Sequence, residues 1–597
     1  MKKILYSILF LAAALFASCS LSLEETPLSS IPEADAYQSA KLLYINTVGT
    51  VTSGLGTVFK GNTDAFCTIE DISGGQLFNP GRGGGDWQDG GKHQSMFMHT
   101  WEEDNDYMRS GWNGGFNKVA AINKALGTIE KYYEASLDKP VLDSYIAELR
   151  AMRAIFYWYM LDFYGNVPIC DSPEATIAET VQSPRDKVYE FVRDELAASI
   201  PLLANAKCQN ESDNYYGRVT KAVAYFMMAR LALNAPVYLL PVSTFASTNS
   251  KEAIAQAVNA KGKEIMINLD GKSRNAWETV IYCQEQVAAM GYKLQPVYAD
   301  NFSISNGSGN VENIFVIPRD NTAHKVGDQD IQRSLHANHG AYLGIPSNWN
   351  GLSGTRQTAF RFGYDFDGDT EYDPRWPDTF YFGFPDGEAN KTKIKSGYTF
   401  DPSKDVDPDG IKDQISYGYY YVHKVWSEQD TELNARGYTG NVKMVYLKWG
   451  GARYKKYQYD PTATSGQNNS NADFGIFRYA DLLLMAGEAK YRNGGDGFEE
   501  FAAVRNRVGV ATDPAEVDYQ FMEEERTREL AFEGVARTDA IRFGSFTRST
   551  VDRHPAMIPY SDSYGTYKED TDGHTILFAI PSSARQTNPN IQQNPGY

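Results

Sequence analysis

DSYIAELRAMRAIFYWYMLDFYG, Asp143 to Gly165, sets apolar and aromatic residues at helical spacing along its whole length. Gly165 offers a stop, and Pro168 supports it. Trp158 falls inside this helix and reads as core. The same periodicity repeats on either side. NGGFNKVAAINKALGTIEKYYE, Asn113 to Glu134, precedes it. SPRDKVYEFVRDELAASIPLL, Ser183 to Leu203, follows, with Ser183 as cap and Pro184 in the first turn. Thr220 opens a further helix to Leu239, another is expected from Lys251 to about Ile267, and a short one that includes Trp277 to Cys283. Short turns join them, and Ala222, Ala229 and Ala232 suit close helix contacts. The class is all-α. The pairs fit either a tetratricopeptide-type repeat or an irregular helical bundle.

Two stretches break this texture. GGQLFNPGRGGGDWQDGGKH, Gly74 to His93, holds too much glycine for a helix or a continuous strand, so it reads as a loop carrying Trp87. From Tyr292 to Ser470 the chain is rich in Gly, Asn, Asp and aromatics, with brief strand-like runs, NIFVIP and NVKMVYLKW. Long loops on a rigid scaffold usually carry binding. Helix resumes at Phe477 to Arg492 and at Glu516 to Gly544, and the tail after Asp572 reads as strand and then irregular.

The chain has 597 residues and a formal net charge of -18. Nucleic acid is excluded as a partner on that ground, because a phosphate backbone would be repelled over most of the surface. Of five cysteines, Cys67, Cys170, Cys208 and Cys283 lie far apart and form no CxxC pair, which excludes a thiolate zinc site. They read as small buried hydrophobes, with disulfides permitted by an exported location. Aromatics make up 13% of the chain, with 39 Tyr and 9 Trp. Such residues serve helix packing and sugar stacking equally well.

The N-terminus, MKKILYSILFLAAALFASCS, has a basic start and an apolar run from Ile4 to Leu15. That run falls short of the about 20 residues a membrane span needs, so it reads as an export signal. Ala17 and Ser18 sit before Cys19, a pattern that resembles a bacterial lipobox with Phe16 in the usual Leu place. Cys19 is then a lipid-bearing N-terminus. No later run is expected to be long and apolar enough to cross a membrane.

Four segments resemble one family, the SusD/RagB-like outer-membrane lipoproteins of Bacteroidetes-type bacteria. LRAMRAIFYWYMLDFYGNVPIC, Leu149 to Cys170, is similar to the family's helix that ends in a YGxVP turn. FRYADLLLMAGEA, Phe477 to Ala489, is similar to RYADVLLMYAEA, with Gly487 where Ala is usual. EERTRELAFEGVARTDAIRFG, Glu524 to Gly544, resembles ERxxELxFEGxRxxDLxRxG, with Ala536 at the usual Arg place and Arg537 one later. IPSSARQTNPNIQQNPGY, Ile580 to Tyr597, resembles the family ending. The resemblance implies an alpha superhelix with tetratricopeptide-like helix pairs and long irregular insertions. It implies a signal peptide (1–18), an N-terminal helical region (19–290) and a C-terminal region with long loops (291–597). It also implies glycan capture, or peptide capture as in some relatives, for a SusC-like TonB-dependent transporter. The body would face the cell exterior, held to the outer membrane by lipid, with no enzymatic activity.

The charged side chains Arg528, Glu529, Glu533 and Arg537 are spaced to pair along or between helices. No recognisable motif provides the carboxylate pair that a glycosidase needs, so they are read as an ion network fixing the packing. The candidate sugar contacts are Trp87, with Asp86 and Gln88 beside it, Trp101 and Trp349. Trp112 and Trp376 read as packing. No cofactor is required. A structural calcium is a candidate at DVDPDGIKD, where Asp405, Asp407, Asp409 and Asp413 alternate and Ile411 would offer its carbonyl; Ser416 at the twelfth place excludes a complete EF-hand. DFDGDTEYD, Asp365 to Asp373, has the alternation with its glycine misplaced.

Overall fold

The computed structural model describes residues 37–61, 64–79, 89–134, 138–208, 215–320, 330–336, 345–363, 373–380, 452–462, 470–548 and 568–597. The long helices are α1 (Asp106–Tyr133), α2 (Lys139–Tyr164), α3 (Arg185–Ser199), α4 (Lys221–Leu239), α5 (Lys251–Glu264), α6 (Ala276–Ala289) and α7 (Tyr479–Asn493). Three shorter ones follow, α8 (Phe498–Asn506), α9 (Tyr519–Leu530) and α10 (Ala536–Arg542). α1 packs on α2, α2 on α3, α3 on α4, α4 on α6, α6 on α7 and α7 on α8. This succession of paired helices is the α-superhelical arrangement with tetratricopeptide-like pairs. Among the described residues the strands form only two-stranded antiparallel sheets, the longest joining Asn313–Ile317 to Phe474–Arg478. Two of them, Leu77–Phe78 with Ser353–Gly354 and Asn313–Ile317 with Phe474–Arg478, tie the long insertion to the helical body.

Local chemistry explains the helix ends. α2 stops at Gly165, whose φ of 69° few other residues tolerate. The Tyr164 carbonyl then accepts from Asn594 Nδ2 at 2.9 Å, so the chain's last residues cap its central helix. α3 starts later than expected. Ser183 is spent in a two-residue strand against Val167–Pro168, and the Arg185 N–H finds its acceptor in Asn166 Oδ1 instead. α5 ends early because Met266–Leu269 turns back on Lys272–Asn275 through Asp270 and Gly271, both at positive φ. α6 runs past Cys283 to Ala289 from an Asn275–Glu278 capping box. The span Glu516 to Gly544 breaks into α9 and α10 where Phe532 and Gly534 take positive φ. The tail after Asp572 contains a 3-10 turn and the helix Ser582–Thr587, where a strand was expected.

Among the described residues, two helices are by length and composition apolar enough to cross a membrane, contrary to expectation. α4 is one, and 94% of its apolar window is buried in the protein, because it is surrounded on all sides by other helices. The other, Ala40–Lys60, turns Leu43, Val48, Val51, Leu55 and Phe59 into the core along one face. Gly487 of α7 has a packing reason. A Cβ there would lie 2.8 Å from Phe501 Cε2 and 3.0 Å from Glu500 Cβ, so its bare backbone is what lets α8 approach. Cys67, Cys170, Cys208 and Cys283 are buried and no disulfide joins them. Trp112, Trp158 and Trp376 are core residues.

Candidate functional site

Among the described residues, the largest buried ion-pair network joins α7 and α9 and is structural. Arg478 at the start of α7 grips Glu533 with Nε at 2.6 Å and Nη2 at 2.7 Å, and also reaches Glu529 and Glu312. Arg375 bonds Glu525 at 2.8 Å and Glu529 at 3.0 Å, and Arg507 joins Glu312 and Glu529. Burial alone would push the Glu529 carboxyl up; Arg507, Arg478 and Arg375 outweigh it and hold it well below the usual carboxylate range. A second cluster repeats the device, with Arg542 and Arg492 both on Glu488, and Arg526 bridging Asp481 and Asp539. Arg537, one place away from the family's usual arginine, is fully buried and pairs with Asp162 across to α2. These carboxylates are saturated by guanidinium groups, which suits them to locking α7, α9 and α10 together.

The aromatic candidates separate. Trp101 is 4% exposed, its Nε1 donates to Tyr597 Oη at 2.8 Å, and its ring meets Phe578 and His99. It is a packing residue, because an enclosed indole has no face to offer a sugar. Trp349 is half-buried in an insertion, its backbone N–H donating to the Gln332 carbonyl at 2.9 Å. Trp87, Asp86 and Gln88 lie outside the described residues, as do Cys19, Asp405, Asp407, Asp409, Ile411 and Asp413. The glycine loop is staked at its end by Asp89, which ion-pairs with Lys92 at 2.6 Å. Asp373, the last carboxylate of the second acidic loop, is bound by Arg375 at 2.7 Å.

A metal could be held elsewhere. Asp570, Asp572 and His574 place three ligand atoms within 4.8 Å of one another. The Asp570 carboxylate also accepts from Gly573 N, Thr575 N and Thr575 Oγ1, and so organises its own turn. A larger feature had no signature in the sequence. A cleft of about 670 Å³ opens between Tyr216, Ser305, Gly307, Arg319, Asn471 and Asp473.

Comparison with known proteins gives the kinship. The sequence profile described as SusD family matches residues 251–597, more than half of the chain. The chain belongs to the SusD family. A second profile, described as starch-binding associating with outer membrane, matches residues 85–233. The chain is 24% identical over 490 residues to the starch-binding protein SusD of Bacteroides thetaiotaomicron, covering 76% of this chain and 72% of that one. Among solved structures it resembles a laminarin binding SusD-like protein, with a TM-score of 0.59, 18% identity, and 94% and 100% of the two chains covered. It also resembles surface glycan-binding protein A from Bacteroides thetaiotaomicron, with a TM-score of 0.60, 18% identity, and 93% and 98% covered. In this SusD-family chain, then, the ion network and the capped central helix form the scaffold that carries the insertions.

Proposed function

We propose that this chain is a cell-surface glycan-binding lipoprotein. It captures oligosaccharide or polysaccharide and passes it, without turnover, to a SusC-like TonB-dependent transporter. The observation that carries this reading is SusD-family membership, with relatives whose names record binding of starch, laminarin and surface glycan. The saturated carboxylate network supports binding over hydrolysis, since Glu529 and Glu533 are committed to arginines and a lysine. Trp87 and Trp349 are the proposed stacking platforms, with Asp86 and Gln88 for sugar hydroxyls.

Family membership supports an outer-membrane location, and attachment through acylated Cys19 is the finer reading. Acyl chains there would hold the chain firmly, at about 0.8 kcal/mol per buried methylene. The 405–413 loop is proposed to take a calcium ion that braces an insertion, through Asp405, Asp407, Asp409, Asp413 and the Ile411 carbonyl. The test of function is incubation of the pure protein with soluble starch, laminarin, xylan and mucin glycans. Retention with no new reducing ends supports the reading, and release of product overturns it.

A further inference from the structure

We infer that the cleft between Tyr216 and Asp473 is a second, separate glycan-contact site, one that takes a neutral pyranose unit. The inference rests on the glycan-binding reading above, and it adds a site that contains none of the candidate tryptophans.

The cleft is assembled from five segments of the chain. Thr52 and Ser53 of the N-terminal helix and Tyr216 form one side. Ser305 and Gly307 form a second, Pro318 and Arg319 a third, and Asn471 and Asp473 the last. Its volume, about 670 Å³, falls in the range of small-ligand sites. The chemistry is mixed in the way sugars require. Tyr216 is a half-exposed ring, and Leu55, Val316 and Ile317 are buried apolar neighbours. Asp473, Asn471 and Ser305 bring carboxylate, amide and hydroxyl groups. The lining carries two carboxylates, Asp320 and Asp473, against one guanidinium, Arg319, which favours a neutral ring over a uronate or a sulfated sugar.

The polar wall is fixed in place before any ligand arrives. Asp473 Oδ1 accepts from the Arg319 backbone N–H at 2.7 Å, which orients the carboxylate. Asn306, 3% exposed, donates to the carbonyls of Asn301 and Asp473 and accepts from Asn313 Nδ2. Preorganisation of this kind lowers the cost of binding. Gly307 keeps the space open. A Cβ on it would sit 3.8 Å from Tyr216 Oη and 3.9 Å from Asp473 Oδ2, between the two walls and in ordinary contact with both. A longer side chain at 307 would therefore occupy the cleft without forcing the backbone.

Gly307→Leu and Tyr216→Ala test the site in the full mature chain. The readouts are melting temperature and affinity electrophoresis in gels containing soluble starch, laminarin, xylan or mucin glycans. Both variants are expected to melt like the wild type and to bind the retained polysaccharide about tenfold more weakly, because one of two contacts on the same polymer is lost. Wild-type retention of a polysaccharide with both variants unchanged overturns the second site and leaves the glycan-binding reading standing. A wild type retained by none of the four polysaccharides overturns both. If a casein tryptic digest is bound instead, and Gly307→Leu abolishes that binding, the sugar assignment of the cleft is overturned in favour of peptide.

Discussion

Trp101 and Tyr597 lie 496 residues apart in sequence, and the indole Nε1 of the first donates to the hydroxyl of the second at 2.8 Å. The tyrosine hydroxyl in turn donates to the Leu577 carbonyl at 2.9 Å. Three residues before the terminus, Asn594 closes the end of α2. The last residues of the chain thus bind the central helix and the loop ahead of α1.

Truncating Trp101 should therefore unfold this junction rather than impair a ligand. Trp101→Ala is expected to cost about 3–5 kcal/mol of stability. Trp101→Phe, which keeps most of the ring packing, should lose about 1 kcal/mol with the hydrogen bond. Thermal and denaturant unfolding of both variants, with glycan affinity measured per folded molecule, checks this. A stable Trp101→Ala with lost affinity would return the residue to the ligand site.

Gly487→Ala weighs two effects against each other. An alanine inside a helix gains about 1 kcal/mol over glycine. At this position its Cβ would press on Phe501 and Glu500 at 2.8 and 3.0 Å, and overpacking typically costs about 1–3 kcal/mol. The net expectation is a lowered melting temperature. A raised one would mean that α8 shifts freely.

Acid should weaken the helix-locking network. Burial favours the neutral form of Glu488, but Arg542 and Arg492 dominate and lower its carboxyl from 4.5 to about 2. The corresponding stability, on the order of 3 kcal/mol, is fully present above pH 4.5 and disappears as pH falls through about 2. Glu488→Gln should be less stable at pH 7 and show a shallower loss of melting temperature on acidification. Parallel curves for wild type and variant would contradict the assignment.

Cys19→Ala should leave melting unchanged and move the protein out of the membrane fraction. Fractionation in a strain lacking the proposed SusC-like transporter, after a high-salt wash, reads this directly. Persistence in the membrane would mean that attachment does not depend on an acylated cysteine.

Local regularity made the helices legible. α2, α4 and α7 show their periodicity in the sequence, and Gly165 marks a real stop. The Asp270–Gly271 hairpin was missed: Asp-Gly is a strong turn signal, but the helical pattern ahead of it was carried through to Ile267. Trp101 misled because its neighbours in HTWEEDND are polar, while the residues that enclose it come from the far end of the chain. Gly487 stood out as a departure from the family pattern, and its reason became visible only with Phe501 set against it. The cleft at Gly307 could not be read at all. Tyr216, Gly307 and Asp473 come from separate segments, and none carries a motif.

The central claim is that this chain holds glycan without cleaving it. Titration calorimetry of the wild type and Trp87→Ala with the polysaccharide it retains, followed by analysis of the recovered sugar, tests it most directly. The expected result is saturable binding, intact sugar, and a Trp87→Ala variant weakened by about 1 kcal/mol, the low end for an aromatic platform, at an unchanged melting temperature. Shortened chains in the recovered sugar, or no binding to any polysaccharide tested, would contradict the account.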